Sequence, residues 1–281
     1  MTCRPDQPIE LLFTLDEAYL PHLEVVLASL FASNPGVCFR IHVLHRSIPQ
    51  DRLEAFAARA STLGFEVVSQ KVDESLFEDA PTTDRYPEEM YFRLLAGQLL
   101  PEELDRVLYI DPDVLVINPL RPLWETELEG NIFAAAAHAS TIGSDTLENV
   151  NNVRLDTEGR YYNSGVLLMD LEAARREIDP DEVFDYTREQ FLPLVLPDQD
   201  VLNALYSERI LEVDEMLWNY DARRYSSYYL ASSGEADVDW VMANTSILHF
   251  CGRLKPWSSS YRYRFGVLYK HYMRQAERIF G

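Results

Sequence analysis

Long apolar runs are missing from this chain, and cysteine and lysine are scarce. The longest runs, such as Val107 to Ile110 and Gly165 to Met169, fall far short of the roughly 20 residues of a membrane-spanning helix. The first residues show no basic stretch followed by an apolar one, so no signal peptide is expected. The three cysteines, Cys3, Cys38 and Cys251, are far apart and odd in number. That argues against a disulfide framework or a cysteine-rich zinc site and predicts a reducing, cytoplasmic setting. Positive charge is also short: the formal net charge is −21, which argues against non-specific binding of nucleic acid. The basic residues that exist are bunched. From Arg253 to Gly281 seven Lys or Arg face one acid, Glu277, a net +6 that leaves −27 on the rest. Such a tail, aromatic as well as basic, can pack on its own acidic domain or lie as a peripheral contact on the inner face of an acidic membrane. What the chain has in plenty is core material: 47% of its residues are hydrophobic. No repeat and no linker divides its 281 residues, and one domain over 1–257, followed by a basic C-terminal helix over 258–281, is the expected organisation.

Periodicity predicts an α/β fold. Ile9 to Leu15 reads as a buried strand, Tyr19 to Phe31 as a helix stopped at Asn34-Pro35-Gly36, and Cys38 to Leu44 as a second strand. Pro49 to Leu63 returns to helical spacing and Phe65 to Ser69 to strand. That alternation implies parallel strands joined by crossover helices, the start of a nucleotide-type sheet. Further on, Glu88 to Leu100 reads as a helix and Val107 to Ile110 as a buried strand. Ile132 to Ala137 and Tyr162 to Met169 are expected strands, and Asp181 to Gln190 and Asp198 to Ser207 expected helices. Ile247 to Phe250 is the last expected strand and Tyr261 to Ile279 the last helix. The stretches Gly143 to Arg160 and Tyr220 to Asp237 read as loops, and Tyr225, Tyr228 and Tyr229 in the second suit stacking on a sugar.

The central chemical signal is Asp111-Pro112-Asp113 at the end of the Val107–Ile110 run. A buried strand there delivers two carboxylates to the carboxyl edge of the sheet, where open α/β folds bind ligands. Both reach one ion if the backbone bends between them, and Pro112 suits such a bend. Oxygen ligands favour Mg²⁺ or Mn²⁺, and an added imidazole nitrogen tilts the choice to Mn²⁺. Four apolar residues followed by D-x-D also fit a haloacid-dehalogenase-like phosphatase, in which one aspartate is the nucleophile. That class needs a downstream lysine and a later acidic pair. The chain has only Lys71, Lys255 and Lys270, with no adjacent acidic pair at a strand end after Lys255.

Three more stretches narrow the choice. In Phe13-Thr14-Leu15-Asp16-Glu17-Ala18-Tyr19 a strand empties into a loop; Asp16 can accept from a uracil N–H or a ribose hydroxyl, and Tyr19 can stack on a base. The second is Tyr162-Asn163-Ser164-Gly165, leading into an apolar run. In His249-Phe250-Cys251-Gly252-Arg253-Leu254-Lys255-Pro256-Trp257 a histidine follows a strand, a glycine permits close backbone approach, and a lysine stands six residues on. A diphosphate–metal complex needs those parts: a third metal ligand and a fixed positive charge.

With these stretches the chain resembles glycosyltransferase family 8, from about Glu10 to Trp257. The resemblance implies a GT-A fold, a mixed and mostly parallel sheet flanked by helices with a nucleotide-binding N-terminal half. It implies a retaining transfer of a hexose, galactose or glucose, from a UDP-sugar to a saccharide or glycoconjugate acceptor. By this resemblance Thr14, Asp16 and Tyr19 lie in the uridine-binding opening, and Arg93 of Tyr91-Phe92-Arg93-Leu94 contacts the nucleotide-sugar. Asp111 and Asp113 match the D-x-D, and Asn163 the asparagine of an N-x-G element. Asp198-Gln199-Asp200 matches D-Q-D, whose Asp198 and Gln199 would face the reacting sugar. His249, Gly252 and Lys255 match H-x-x-G-x-x-K-P-W, with His249 as third metal ligand. One departure stands out: His138 occupies the place of an acid that often holds the donor sugar in this family, so that acid cannot be used to infer the donor. Each residue also has a plainer reading, such as Asp16 or Asp198 as a helix cap and Arg93 as a partner of Glu89 on its own helix. A sugar-binding protein without catalysis would be expected to lack one of the metal or diphosphate residues, and none is missing.

Overall fold

The computed structural model describes residues 8–73, 77, 89–137, 144–189 and 195–281. The strands, in chain order, are β1 (Ile9–Thr14), β2 (Phe39–His45), β3 (Glu66–Lys71), β4 (Arg106–Ile110) and β5 (Val114–Val116). They continue with β6 (Phe133–Ala135), β7 (Val166–Asp170), β8 (Ile210–Glu212), β9 (Tyr220–Asp221) and β10 (Ile247–His249). Seven form a sheet of order β3-β2-β1-β4-β7-β6-β8. Neighbours pair in parallel except at β7, which runs against both β4 and β6. The expected mixed, mainly parallel α/β sheet is therefore present.

Side chains on a strand alternate between faces, and here both faces are buried, which is why Leu11 to Phe13 in β1 and Val107 to Ile110 in β4 read as continuous apolar runs. Leu11, Phe13, Leu108 and Ile110 join the core under the helices Leu20–Ser33 and Gly266–Phe280. Leu12, Val107 and Tyr109 join the opposite core with Tyr91, Phe92, Leu167 and Met169. Glu10 is buried in the sheet because Arg40 and His42 on β2 each lie 2.7 Å from its carboxylate. The helix Gly266–Phe280 lies along Leu20–Ser33 and buries Tyr269, Ala276 and Phe280. Trp257 leads into it and stacks on His22 at 3.6 Å.

Several local expectations need correction. The helix expected over Glu88 to Leu100 is broken into Glu89–Phe92 and Ala96–Leu99. The turn between them buries both Leu94 and Leu95 while Arg93 still reaches the sheet edge. Part of the expected loop from Gly143 to Arg160 is the helix Ser144–Leu155. It shows no apolar stripe in sequence because it leaves Val150 and Val153 in solvent. The other expected loop contains β9 and the helix Tyr225–Ala231, both too short to show a period. Tyr228 is wholly buried there and is core rather than a sugar platform. Cys38 is disulfide-bonded, a link the cysteine spacing did not suggest, and Cys251 takes no part in a disulfide.

Candidate active site

The site forms where the ends of three strands, β4, β7 and β10, meet. β4 ends at Ile110 and delivers Asp111 to the carboxyl edge of the sheet. Because β7 is antiparallel to β4, its beginning lies beside that end: Ile110 pairs with Val166, and Asp111 N–H donates to the Gly165 carbonyl at 2.8 Å. Beyond Asp113 the chain enters a second, three-stranded sheet of order β5-β10-β9. Its register sets His249 opposite Val114, one residue from Asp113, and pairs His249 with Asp221 on the other side. Sheet pairing thus carries residues some 140 positions apart in sequence to one point.

Two cavities adjoin there. One, of about 460 Å³, is lined by Thr14, Asp16, Tyr19 and Arg46; the other, of about 350 Å³, by Asn163, Asp198, Gln199, His249 and Gly252. Arg93, Asp111, Asp113 and Lys255 line both. The twelve residues that the sequence assigns to the nucleotide-sugar, the metal and the reacting sugar are therefore gathered around two adjoining cavities; the tyrosines of the 220–237 stretch are not among them. His138 lies outside the described residues, as does the side chain of Glu89.

The plainer readings resolve individually. Asp16 does cap: it accepts from Tyr19 N–H at 3.2 Å while its exposed side still lines the first cavity. Asp198 does not. Its Oδ2 accepts from Ser164 Oγ at 2.9 Å and lies 3.1 Å from Arg93. The start of its helix is held instead by Asp200, which accepts from Val195 and Leu196 N–H and is gripped by Arg154 and the Tyr161 hydroxyl. Arg93 donates to the Ser164 carbonyl and lies 3.0 Å from Asp111.

Asp111, Asp113 and His249 each offer one ligand atom, all within 4.8 Å of one another. Two carboxylates and an imidazole form a donor set suited to a borderline divalent cation. The outer contacts fit that use. His249 Nδ1 lies 2.8 Å from Asn219 Oδ1, and Asn219 Nδ2 donates to Asn163 Oδ1 at 2.7 Å. With Nδ1–H engaged by Asn219, Nε2 is the ring nitrogen turned to Asp113 at 3.3 Å and Asp111 at 3.5 Å. Asn163 Nδ2 in turn donates to Gln199 Oε1 at 2.8 Å, so one hydrogen-bonded row links Gln199 to His249. Gly165 keeps the space open: a Cβ there would collide with His249 Cε1 and lie 2.6 Å from Asp111 Oδ2.

The electrostatics favour positive charge at this point. Burial pushes the Asp111 carboxyl up, and neighbouring Asp113 adds to it against the opposing pull of Arg93. Burial also acts to raise Asp113, but His249 and Lys255 beside it outweigh that and hold it well below the carboxylate range. Burial opposes a charge on His249, yet Cys251 and Asp113 raise it well above the usual histidine value. Lys255 donates to Asp113 Oδ2 and is raised by the same carboxylate despite its burial.

Residues that sequence reasoning did not single out complete the arrangement. The Tyr109 hydroxyl donates to Asp111 Oδ1 at 2.5 Å; its position two residues earlier on the same strand face was the available signal. Ser164 and Gly165 adjoin Asn163 in sequence. Asn219, Arg46 and Arg223 carry no motif. At Gly252 the backbone has φ +85° and a Cβ would strike Arg223, so the open side of this glycine faces a guanidinium.

Residues 10–260 match the model of glycosyl transferase family 8. The chain belongs to that family. It is 26% identical over 280 residues to general stress protein A of Bacillus subtilis (strain 168), covering 96% of this chain and 94% of that protein. It is 24% identical over 253 residues to a lipopolysaccharide 1,2-glucosyltransferase of Escherichia coli, covering 86% of this chain and 71% of that one. Its fold matches the structure of the galactosyltransferase LgtC in complex with donor and acceptor sugar analogs. The TM-score is 0.76 at 24% identity, over 95% of this chain and 96% of that one. The fold is GT-A, and the chain is a glycosyltransferase, which decides against the phosphatase reading of the same aspartates and against a binding module without catalysis. Among the described residues no helix is long and apolar enough to cross a membrane.

Proposed function

We propose that this glycosyltransferase moves a hexose, galactose or glucose, from a UDP-sugar to a glycan, lipid-linked or protein-linked acceptor with retention of anomeric configuration. Asp111, Asp113 and His249 would hold a divalent ion, Mn²⁺ in preference to Mg²⁺. The observation that carries this reading is the convergence of those three ligand atoms at the junction of the two cavities. The glucosyl- and galactosyltransferase relatives support the hexose.

The first cavity suits the nucleotide, with Asp16 and Tyr19 towards the base and Arg93 and Lys255 towards the diphosphate. A divalent ion bound at the three ligands would offset negative charge growing on the leaving diphosphate. Lys255, fixed by Asp113 and by the Phe250 carbonyl at 3.3 Å, adds a charge that needs no rearrangement during the reaction. In the second cavity Asp198 is held between Arg93 and Ser164, and Gln199 by Asn163. Both are oriented to meet the sugar at its reacting face. The helix of the basic segment 258–281 packs on Leu20–Ser33; its exposed Lys270, Arg274 and Arg278 would be the face offered to an anionic membrane surface on the cytoplasmic side, which vesicle co-sedimentation of the full chain would test.

A panel of UDP-sugars with Mn²⁺, read by UDP release, tests the donor. Release from UDP-galactose or UDP-glucose is expected, with loss on adding EDTA and in Asp111→Asn. Equal turnover of Asp111→Asn with and without EDTA would sink the metal assignment, and no release from any UDP-hexose would sink the donor.

A further inference from the structure

A third cavity, of about 580 Å³, opens between the helices Tyr225–Ala231 and Val238–Asn244 and shares no lining residue with the two cavities of the active site. Tyr225 and Tyr229 stand one helical turn apart, and their rings stack 6.0 Å apart at 20°. Tyr225 is fixed from two sides, by the Arg264 guanidinium 4.2 Å over its ring and by the Phe265 ring at 5.9 Å. Tyr229 is 40% exposed, so part of its ring is free to take a ligand. It leans over Gly234, where φ is +92° and a Cβ would lie 3.3 Å from its hydroxyl. Asp237, Asp239 and Arg264 line the polar side. Asp237 spends one carboxylate oxygen on Trp240 N–H at 2.8 Å, which leaves the other as an acceptor.

This combination suits one ligand chemistry. A rigid aromatic platform meets the C–H face of a pyranose at little entropic cost. Carboxylates can accept from sugar hydroxyls, and a guanidinium can donate to them. The two acids disfavour a phosphate or nucleotide. The location fits as well. The helix bearing the two tyrosines starts directly after Arg223 and Arg224, and Arg223 lines the active-site cavity that contains Gln199. Tyr225 follows Arg223 by two residues and the helix rises only about 6 Å from Tyr225 to Tyr229, so little chain separates the two cavities.

We propose that this cavity is a second saccharide-binding site, which holds a part of the glycan acceptor remote from the reacting sugar. The inference rests on the reading of the acceptor as a glycan. Two sites on one glycan would raise its apparent affinity without new contacts at the reaction centre.

The test reads binding without any donor. Neutral glucose and galactose oligosaccharides of one to six units are titrated against the full chain by ligand-observed NMR. UDP binding is measured separately by calorimetry. Saturable binding of the longer members is expected. It should weaken at least tenfold in Tyr229→Ala and in Asp239→Asn, persist in Tyr229→Phe, and leave UDP affinity unchanged in all three. Unaltered oligosaccharide binding in Tyr229→Ala would overturn the site, as would no saturable binding of any member to the native chain. A chain that binds UDP and no oligosaccharide loses this site alone, and one that binds oligosaccharide and no UDP loses the donor reading alone.

Discussion

Arg93 and Asp111 lie 18 residues apart in sequence, yet the guanidinium sits 3.0 Å from the carboxylate. The same nitrogen is 3.1 Å from Asp198 Oδ2, so one cation joins the proposed metal site to the residues that would face the sugar. Its charge is maintained: burial acts against it, but Asp111, Tyr109 and Asp198 raise it. Arg93→Ala would take the shared cation from two partly buried carboxylates, leaving Asp111 to Tyr109 and His249 and Asp198 to Ser164; breaking a fully buried pair costs about 3–5 kcal/mol, the upper bound here. Arg93→Lys keeps the charge but loses the fork, and lysine is a point charge on a flexible stem. The lysine variant should unfold at a urea midpoint between wild type and Arg93→Ala. Its UDP release should fall more than its stability does. Equal stability of all three proteins would show that this bridge contributes nothing to the fold.

Lys255 offers a cleaner separation of charge from structure. Lys255→Ala removes the cation nearest Asp113 and, on the proposed reading, one stabiliser of the departing diphosphate. Loss of such a group lowers kcat by about 10²–10³-fold. UDP release at saturating donor should show that fall, and Lys255→Arg should recover part of it. Wild-type kcat in Lys255→Ala would remove the lysine from the chemistry.

The pH dependence of stability should carry a signature of His22. Its ring stacks on Trp257, its Nδ1 lies 3.2 Å from the Tyr269 hydroxyl, and burial lowers its pKa below the usual 6.5. A group depressed in the fold is protonated more readily in the unfolded chain. Stability is then unaffected above about pH 6.5 and falls as pH drops through the interval below that value. His22→Phe keeps an aromatic ring and removes the titration, so its urea midpoint should decline less than the wild type between pH 7.5 and 5.5. Burial lowers His45 too and acts in both proteins, so it does not alter the difference. Parallel profiles would exclude His22 as a contributor.

Much of this site was legible because its parts are local in sequence. Asp111 and Asp113 follow an unmistakable buried strand, and the run from His249 to Trp257 carries a proposed ligand, a glycine and a lysine in nine residues. The relations between parts were not legible. Nothing in Trp218-Asn219-Tyr220 signals that Asn219 will orient His249, since that contact depends on the register of β9 against β10. Asp200 looked like the third letter of a motif; in the fold it is a wholly buried hub that ties Arg154, Tyr161 and two backbone amides to the helix bearing Gln199. The antiparallel course of β7 was equally hidden. Periodicity reports which faces are buried, and a strand buried on both faces reads the same in either direction.

That reversal of β7 leads to the sharpest prediction, at Gly165. The antiparallel course sets the start of β7 beside Asp111, with no room for a side chain between Asp111 and His249. The backbone of Gly165 does not need glycine for its conformation, because its φ is not among the positive values. Gly165→Ala therefore tests space alone. A methyl group would push the His249 ring and the Asp111 carboxylate apart while leaving all three ligands and both strands in the chain. Disturbing groups that hold metal ligands in place typically weakens affinity by about 10–100-fold. Mn²⁺ affinity, followed by calorimetry or electron spin resonance, should fall by that order, with the thermal midpoint reduced far less. Rescue of UDP release by raised Mn²⁺ would tie the defect to ion binding. If Gly165→Ala binds Mn²⁺ as tightly as the native chain, the ion does not sit between Asp111 and His249.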